Sequence, residues 1–293
     1  MTALVVLDNG TLRLEIAPEL GGSILRMDKV DRNEPEPVLK AWQGDRDNPA
    51  DRAMFVMAPW CNRISGKGLP WKGRTYPLPR LLRAQSMPIH GTVLDASWNI
   101  LDIGPSYLRV SMTETSVSPF AFEAILDYKL DGPTLTCNLS LRHIGARPAP
   151  YGAGFHPWFA CDVGDHLCFN ATGFALEDSN CLPYQIVDLK DTRVQDFSKP
   201  RALPSVSLNG TYAGWNGQAR LLRQKGGAVD IQSPPPLTGL HVYSRSSSCG
   251  FVCVEPVSHS VDSPHRTLLP DLSLQELHNG ETLAIGITIT VHS

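Results

Sequence analysis

The chain has 293 residues, 42% hydrophobic and 19% charged, with a formal net charge of −3. That is enough apolar material for a substantial core, and the absence of basic runs argues against nucleic acid or an anionic membrane surface as partner. No apolar stretch approaches the ~20 residues of a membrane span, and the opening MTALVVLDNG lacks the basic start and longer apolar run of a secretory leader. Seven scattered cysteines without a C-x-x-C fit reduced thiols in a cytoplasm better than a disulfide framework, so a cytoplasmic location is expected.

Period-2 alternation dominates from the N-terminus onward. TLRLEI (11–16) puts Leu12, Leu14 and Ile16 on one face. DRNEPEP (31–37) reads as a surface loop. The best helical signal, DRDNPADRAMFVM (45–57), is short, with Pro49 in a first turn. FEAILDYKLDG and TLTCNLSLR alternate as two strands and join as a hairpin around Asp131-Gly132. SPPP (233–236) is a loop, and TLAIGITITVH (282–292) is a last half-buried strand rich in β-branched residues. With 24 Gly and 24 Pro punctuating short strands, the expected fold is all-β, an antiparallel sandwich or barrel with few short helices. Neither a repeat nor a linker divides the chain, so one domain over 1–293 is expected.

Four stretches hold polar residues in loop-like settings. APWCNRISGKG carries Asn62 and Arg63, MPIHGTVLDASW carries His90, GAGFHPWF (152–159) carries His156, and GFVCVEPVSHSVDSP carries Glu255. Around His156, Gly152 and Gly154 would let the backbone approach a ligand, while Pro157, Trp158 and Phe159 would fix the ring and offer an apolar wall. Glu255 follows Phe251–Val254, which reads as a buried strand, and a carboxylate desolvated at its end would have a raised pKa suited to a base. Taken singly, each has an ordinary explanation: most lone histidines are structural or solvated, and Asn62-Arg63 could be a turn with a surface charge. Zinc would need close pairs of ligands, and neither His259 with His265 nor His156 with Cys161 supplies them. GAGFHP lacks the third glycine of a dinucleotide loop, and no G-x-S-x-G occurs. The residues alone therefore give an all-β protein with a candidate His/Glu site.

In this order, NRISG with WKGRTYPL (62–78), HG (90–91), GAGFHPWF and CVEP (253–256) resemble the aldose 1-epimerase (galactose mutarotase-like) family. The likeness runs from NGTLRLEIAPELGGSI to LHNGETL, nearly the whole chain. It implies a large antiparallel β-sandwich, the galactose mutarotase-like supersandwich, with a sugar cleft across one concave face. It further implies an isomerase that exchanges the anomers of a free aldose, with no cofactor or metal and a small-molecule sugar as partner; the oligomeric state stays open. His156 matches the family's general acid and Glu255 its general base. Arg63 and His90 match residues that hydrogen-bond the sugar, with Asn62 beside them and Trp158 facing its C–H surface. Asn209, in LNGTYAGWNG, stands where many members carry an acidic sugar-binding residue, and an asparagine common shortly before HG is missing from RAQSMPIHG.

Two alternatives stay open: a hexose-6-phosphate 1-epimerase, with Arg80 and Arg83 as the phosphate clamp, and a non-catalytic sugar-binding protein. The acid–base reading expects His156 and Glu255 on opposite sides of a space one sugar ring wide. It also expects a carboxylate beside an imidazolium; with reference pKa values of ~4.3 and ~6.5, the surroundings must favour the cation on His156.

Overall fold

The computed structural model describes residues 4–31, 34–45, 48–82 and 84–293, and in these the chain is almost entirely β. Two large antiparallel sheets stack as a sandwich. In one, the strands run Val5–Asp8, Leu12–Ala17, Ser23–Lys29, Met54–Met57, Gly154–Ala160, Phe251–Val257, Gly239–Ser244, Leu208–Ala213, Gly173–Glu177 and Pro183–Val187, with Glu36–Pro37 joining beside Ser23–Lys29. The second, nine-stranded sheet is centred on Thr282–His292, Thr134–His143 and Phe122–Asp131.

The alternation predicted for the second sheet is what its ladders use. Phe122–Asp131 pairs with Thr134–His143 from Phe122↔His143 to Asp131↔Thr134, and Gly132 (φ 52°) makes the turn. Phe122, Ala124, Leu126, Tyr128 and Leu130 are buried with Leu135, Cys137, Leu139 and Leu141 against the first sheet. Their polar neighbours, such as Glu123, Lys129 and Asp131, face water. Burial of one alternating face is what holds such a register, since a slip of one residue would expose every apolar side chain.

The helix expected over 45–57 is not formed. Only Pro49–Asp51 makes a single 3-10 turn, and Met54–Met57 is a strand; residues 46 and 47 lie outside the described residues. Met54 and Val56 enter the sandwich core while Phe55 and Met57 are buried on the opposite side of the same sheet. A run buried on both faces favours a central strand over a helix, which would bury one stripe. The DRNEPEP loop ends in ladder, with Glu36–Pro37 pairing to Asp28 and Lys29; residues 32 and 33 are outside the described set. Val93–Asp95 and Pro270–Leu272 are the other 3-10 turns. All seven cysteines are unpaired. Among the described residues no helix is long and apolar enough to cross a membrane.

Candidate active site

Six neighbouring strands of the first sheet alternate in a second sense. Residues such as Val56, Phe155, Val254, Val242, Tyr212 and Phe174 point into the sandwich core. The residues between them form the sheet's other face, and there Phe55, His156, Glu255, His241, Asn209 and Glu177 stand one per strand. Register brings them level: His156 lies opposite Phe55, His241 opposite Glu255, and Thr211 opposite His241. His156 and Glu255 are therefore not in loops, as their sequence settings suggested. They occupy adjacent central strands, where backbone hydrogen bonds on both sides fix their positions.

Loops bury this face. His156 is 5% exposed and Glu255 2%. The imidazole is held between two aromatic rings, Phe55 at 4.5 Å (26° between planes) and Trp158 at 5.5 Å (19°). Phe159, expected in the same wall, belongs to the sandwich core. The two glycines also serve a different purpose from the one expected. A Cβ on Gly152 would fall 2.1 Å from His259 Cδ2, and one on Gly154 would fall 2.6 Å from Pro256 O. The bareness of Gly152 lets His259 pack against it, and that of Gly154 makes room for the Pro256 carbonyl and the Cys61 and Met57 side chains, rather than for a ligand. His259 uses both ring nitrogens there: Nε2 accepts from the Cys61 N–H (2.7 Å), and Nδ1–H donates to Ser260 O (2.8 Å).

Asn62, Arg63 and His90 arrive on two crossing loops. Asn62 (φ 52°) and His90 (φ 62°) are both left-handed, and His90 N–H donates to Asn62 O at 3.1 Å. The Asn62 N–H points back at His90 Nδ1 (3.3 Å), which assigns the ring proton to Nε2. Gly91 (φ 75°) is obligatory at this crossing, since a Cβ would lie 1.8 Å from Ala58 O. Arg63 is held by Asn62 Oδ1 (3.1 Å) and Gln85 Oε1 (3.2 Å). Buried Asp262 anchors the loop by accepting from Ser65 N–H and Oγ–H, both at 2.8 Å.

These elements enclose a cavity of about 390 Å³ lined by Arg63, His90, His156, Trp158, Asn209 and Glu255 among others. Asn62 also lines it, so every predicted site residue borders one space. At its floor His156 Nε2 is 3.3 Å from Glu255 Oε1. The pair is in contact, not on opposite sides of a ring-sized gap. Four lining or supporting groups escaped the sequence reading: His241, Gln85, Arg245 and, behind Asn209, Glu177. The polar members of GLHVYS and GFALED alternate with core residues, and that phase was the available signal.

Electrostatics differ from the expectation as well. Burial, with the Glu177 charge adding to it, raises Glu255 well above the ordinary carboxyl range. Burial, helped by repulsion from His241, lowers His156 to about 3. Both shifts favour a neutral pair, with the proton on the Glu255 side, over carboxylate and imidazolium. His90 is also driven well below its usual value, by burial and then by the proximity of His156, Arg63 and His241, so it is a neutral Nε2–H donor at physiological pH. Burial lifts Glu177 to about 7 against the opposing pull of Arg63.

Of the two arginines expected as a phosphate clamp, only Arg80 is among the described residues. It is exposed and does not line the cavity; Arg83 lies outside the described residues. Among the described residues, the cations that border the space are Arg63 and, at the rim, exposed Arg245. His156, Cys253 and Glu255 bring three potential metal-ligand atoms within 4.8 Å of one another. Burial raises the Cys253 thiol and the Glu255 carboxyl well above their ordinary pKa values, which opposes the ionised forms a metal would need.

The family model described as aldose 1-epimerase matches residues 3–290. The chain is 28% identical over 271 residues to the uncharacterized protein YphB of Escherichia coli (strain K12), covering 90% of each. Among solved structures it superposes on a protein of Escherichia coli K12, provisionally named an aldose 1-epimerase, with a TM-score of 0.89 at 26% identity over 99% of both chains. A galactose mutarotase-like protein from Clostridium acetobutylicum gives a TM-score of 0.86 at 17% identity, over 99% of this chain and 95% of that one.

Proposed function

Since the chain belongs to the aldose 1-epimerase family, we propose that it interconverts the α and β anomers of a free aldose, with Glu255 and His156 as the acid–base pair. The observation that carries this reading is the 3.3 Å contact between His156 Nε2 and Glu255 Oε1 at the floor of a polar cavity. Anomer exchange opens a hemiacetal and closes it on the other face. The hydroxyl that loses a proton and the ring oxygen that gains one are both bonded to C1. An acid and a base serving them must be neighbours, so contact suits the chemistry better than a ring-wide gap.

One shared proton suffices. Its transfer from Glu255 to His156 gives a carboxylate that takes the C1 hydroxyl proton and an imidazolium that protonates the ring oxygen. The ring C1–O bond breaks, a carbonyl forms at C1, and the chain rotates about C1–C2. Closure returns each proton along the reverse path, so none is gained or lost. A positioned acid or base contributes roughly 10²–10⁴-fold, ample for a reaction that already proceeds in water. His90 Nε2–H and the Arg63 guanidinium would donate to sugar hydroxyls, Asn209 would bind another, and Trp158 would present its edge. The reading covers 1–293 as one unit, and seven free thiols support a reducing, cytoplasmic setting.

Polarimetry on freshly dissolved sugars tests it. Accelerated mutarotation of at least one free aldose, lost in Glu255→Gln, is expected; binding without acceleration would make this a sugar-binding protein. A second reading rests on Arg245, the cation at the rim: a hexose 6-phosphate would place its charge there. Preference for glucose 6-phosphate over glucose, lost in Arg245→Ala, would establish that reading instead.

A further inference from the structure

We infer that Glu177 is a positioning residue of this site, a carboxylate behind the cavity wall that sets which way the Asn209 amide faces the sugar. The inference rests on the sugar-binding reading above and goes beyond it to a group that does not itself line the cavity.

A chain of hydrogen bonds crosses three strands. Asn209 Nδ2–H donates to Glu177 Oε2 at 2.5 Å. Asn209 Oδ1 lies 3.2 Å from His241 Nε2, and His241 Nδ1 lies 3.0 Å from Thr211 Oγ1. An ionised carboxylate can only accept, so it decides every later direction: the Asn209 N–H turns to Glu177, His241 Nε2–H donates to Oδ1, and the Thr211 hydroxyl donates to Nδ1. With a neutral group at 177 the amide could turn over and the imidazole could change tautomer. Asn209 and Ser207 separate two cavities, the one that holds His156 and Glu255 and a second of about 230 Å³ that Glu177 borders. Glu177 thus acts through Asn209, whose remaining N–H and remaining lone pair are left for a ligand.

Stability does not explain this carboxylate. Glu177 Oε1 has no hydrogen-bond partner among the described residues, and desolvation of the carboxylate outweighs the support of Arg63 and Asn209, a cost that an amide of the same shape would spare. The chain also ends beside the reacting pair, because His241 lies opposite Glu255 in the strand register. Fixing Asn209 therefore fixes one edge of the sugar relative to the acid and base.

The test compares the parent with Glu177→Gln, Asn209→Asp and the double variant, by polarimetric kinetics at pH 8 on the best aldose and by thermal unfolding. In Glu177→Gln, KM should rise about tenfold, the effect of losing a charge-assisted hydrogen bond, with kcat within about threefold. Its unfolding temperature should hold or rise. Asn209→Asp sets two carboxylates in contact and should weaken KM further, while the double variant, again with one charge and one amide, should be better than the worse single. An unchanged KM in Glu177→Gln, a fall in stability that parallels the loss of affinity, or strictly additive variants would overturn the inference. A parent inactive on every sugar would overturn the functional reading, and this inference with it.

Discussion

His156 Nε2 and Glu255 Oε1 approach to 3.3 Å across two hydrogen-bonded central strands, although 98 positions separate them in the chain. Neither side chain has room to leave. The imidazole is clamped between Phe55 and Trp158, and Glu255 is buried on a strand whose alternate residues anchor the core. Glu255→Gln keeps the shape and removes the proton acceptor. Turnover should fall by at least about 10²-fold with sugar affinity within a few-fold, and His156→Asn should do the same. Retention of more than a few per cent of activity in Glu255→Gln would assign the base elsewhere.

His90 and Arg63 should behave differently. Both present N–H groups to the cavity from outside the His156–Glu255 contact, so their loss removes binding in ground and transition states alike. Arg63→Ala and His90→Asn should each raise KM about tenfold or more, with a smaller effect on kcat. Steady-state kinetics separate the two classes; a kcat effect alone at His90 would place it in the proton transfers.

Gly91 and Gly132 offer a matched pair for stability. Both are left-handed, at φ 75° and 52°, but a Cβ on Gly91 strikes Ala58 O at 1.8 Å while one on Gly132 meets nothing within 4 Å. Gly132→Ala should cost about 1 kcal/mol, the left-handed penalty alone. Gly91→Ala must also displace backbone and should cost about 3 kcal/mol or more. Urea unfolding measures both, and equal costs would contradict the crossing of the two loops.

Acid should unfold this protein from a higher pH than its surface carboxylates require. His156 and His241 are lowered to about 3 and His259 to about 4, and His90 is lowered strongly too. Their folded pKa values lie below the unfolded ~6.5, so their stabilisation is full above pH 6.5 and is lost as pH falls. Glu177, raised to about 7, and Glu255, raised well above its ordinary value, work oppositely, stabilising less as pH climbs above 4.5. Four depressed bases outweigh two raised acids, so the urea midpoint should fall steadily between pH 6 and pH 4.5. His241→Asn should make that fall shallower; an unchanged slope would mean His241 is protonated in the fold.

Chelation should leave activity intact. Of the three ligand-type groups, His156, Cys253 and Glu255, burial favours the protonated form of the last two, and a metal would have to strip both of them. Loss of activity in EDTA, restored by one divalent ion, would require a different chemistry at this floor.

The sheet strands were legible wherever one face meets water, as in Phe122–Asp131 and Thr282–His292, because alternation then has contrast. It gave no signal at Met54–Met57, apolar on both faces and misread as helix, whereas Phe251–Val254 was readable as a buried strand from its apolar run rather than from any period. Residues 62, 63, 90, 156 and 255 were recognisable because short motifs surround them. His241 and Glu177 have no such frame: each is one polar residue in a strand, and only the pairing of distant strands makes them neighbours of Glu255 and Asn209. The misreading of Gly152 and Gly154 has a similar cause, since His259 and Pro256, which need their space, are each more than 100 residues away.

The alternation of core and cavity residues along the same strands has a consequence for how such a protein can be altered. Substituting Asn209, His241 or Glu177 changes the side turned to the ligand, while Leu208, Leu240 and Leu176, their immediate neighbours, go on filling the sandwich. New preferences can be explored position by position without dismantling the scaffold. A single inserted residue has the opposite effect, exchanging the two faces downstream of it and putting leucines in the cavity and charges in the core. Randomised libraries on this framework should accordingly tolerate replacement in these strands and reject changes of length, which belong in the connecting loops.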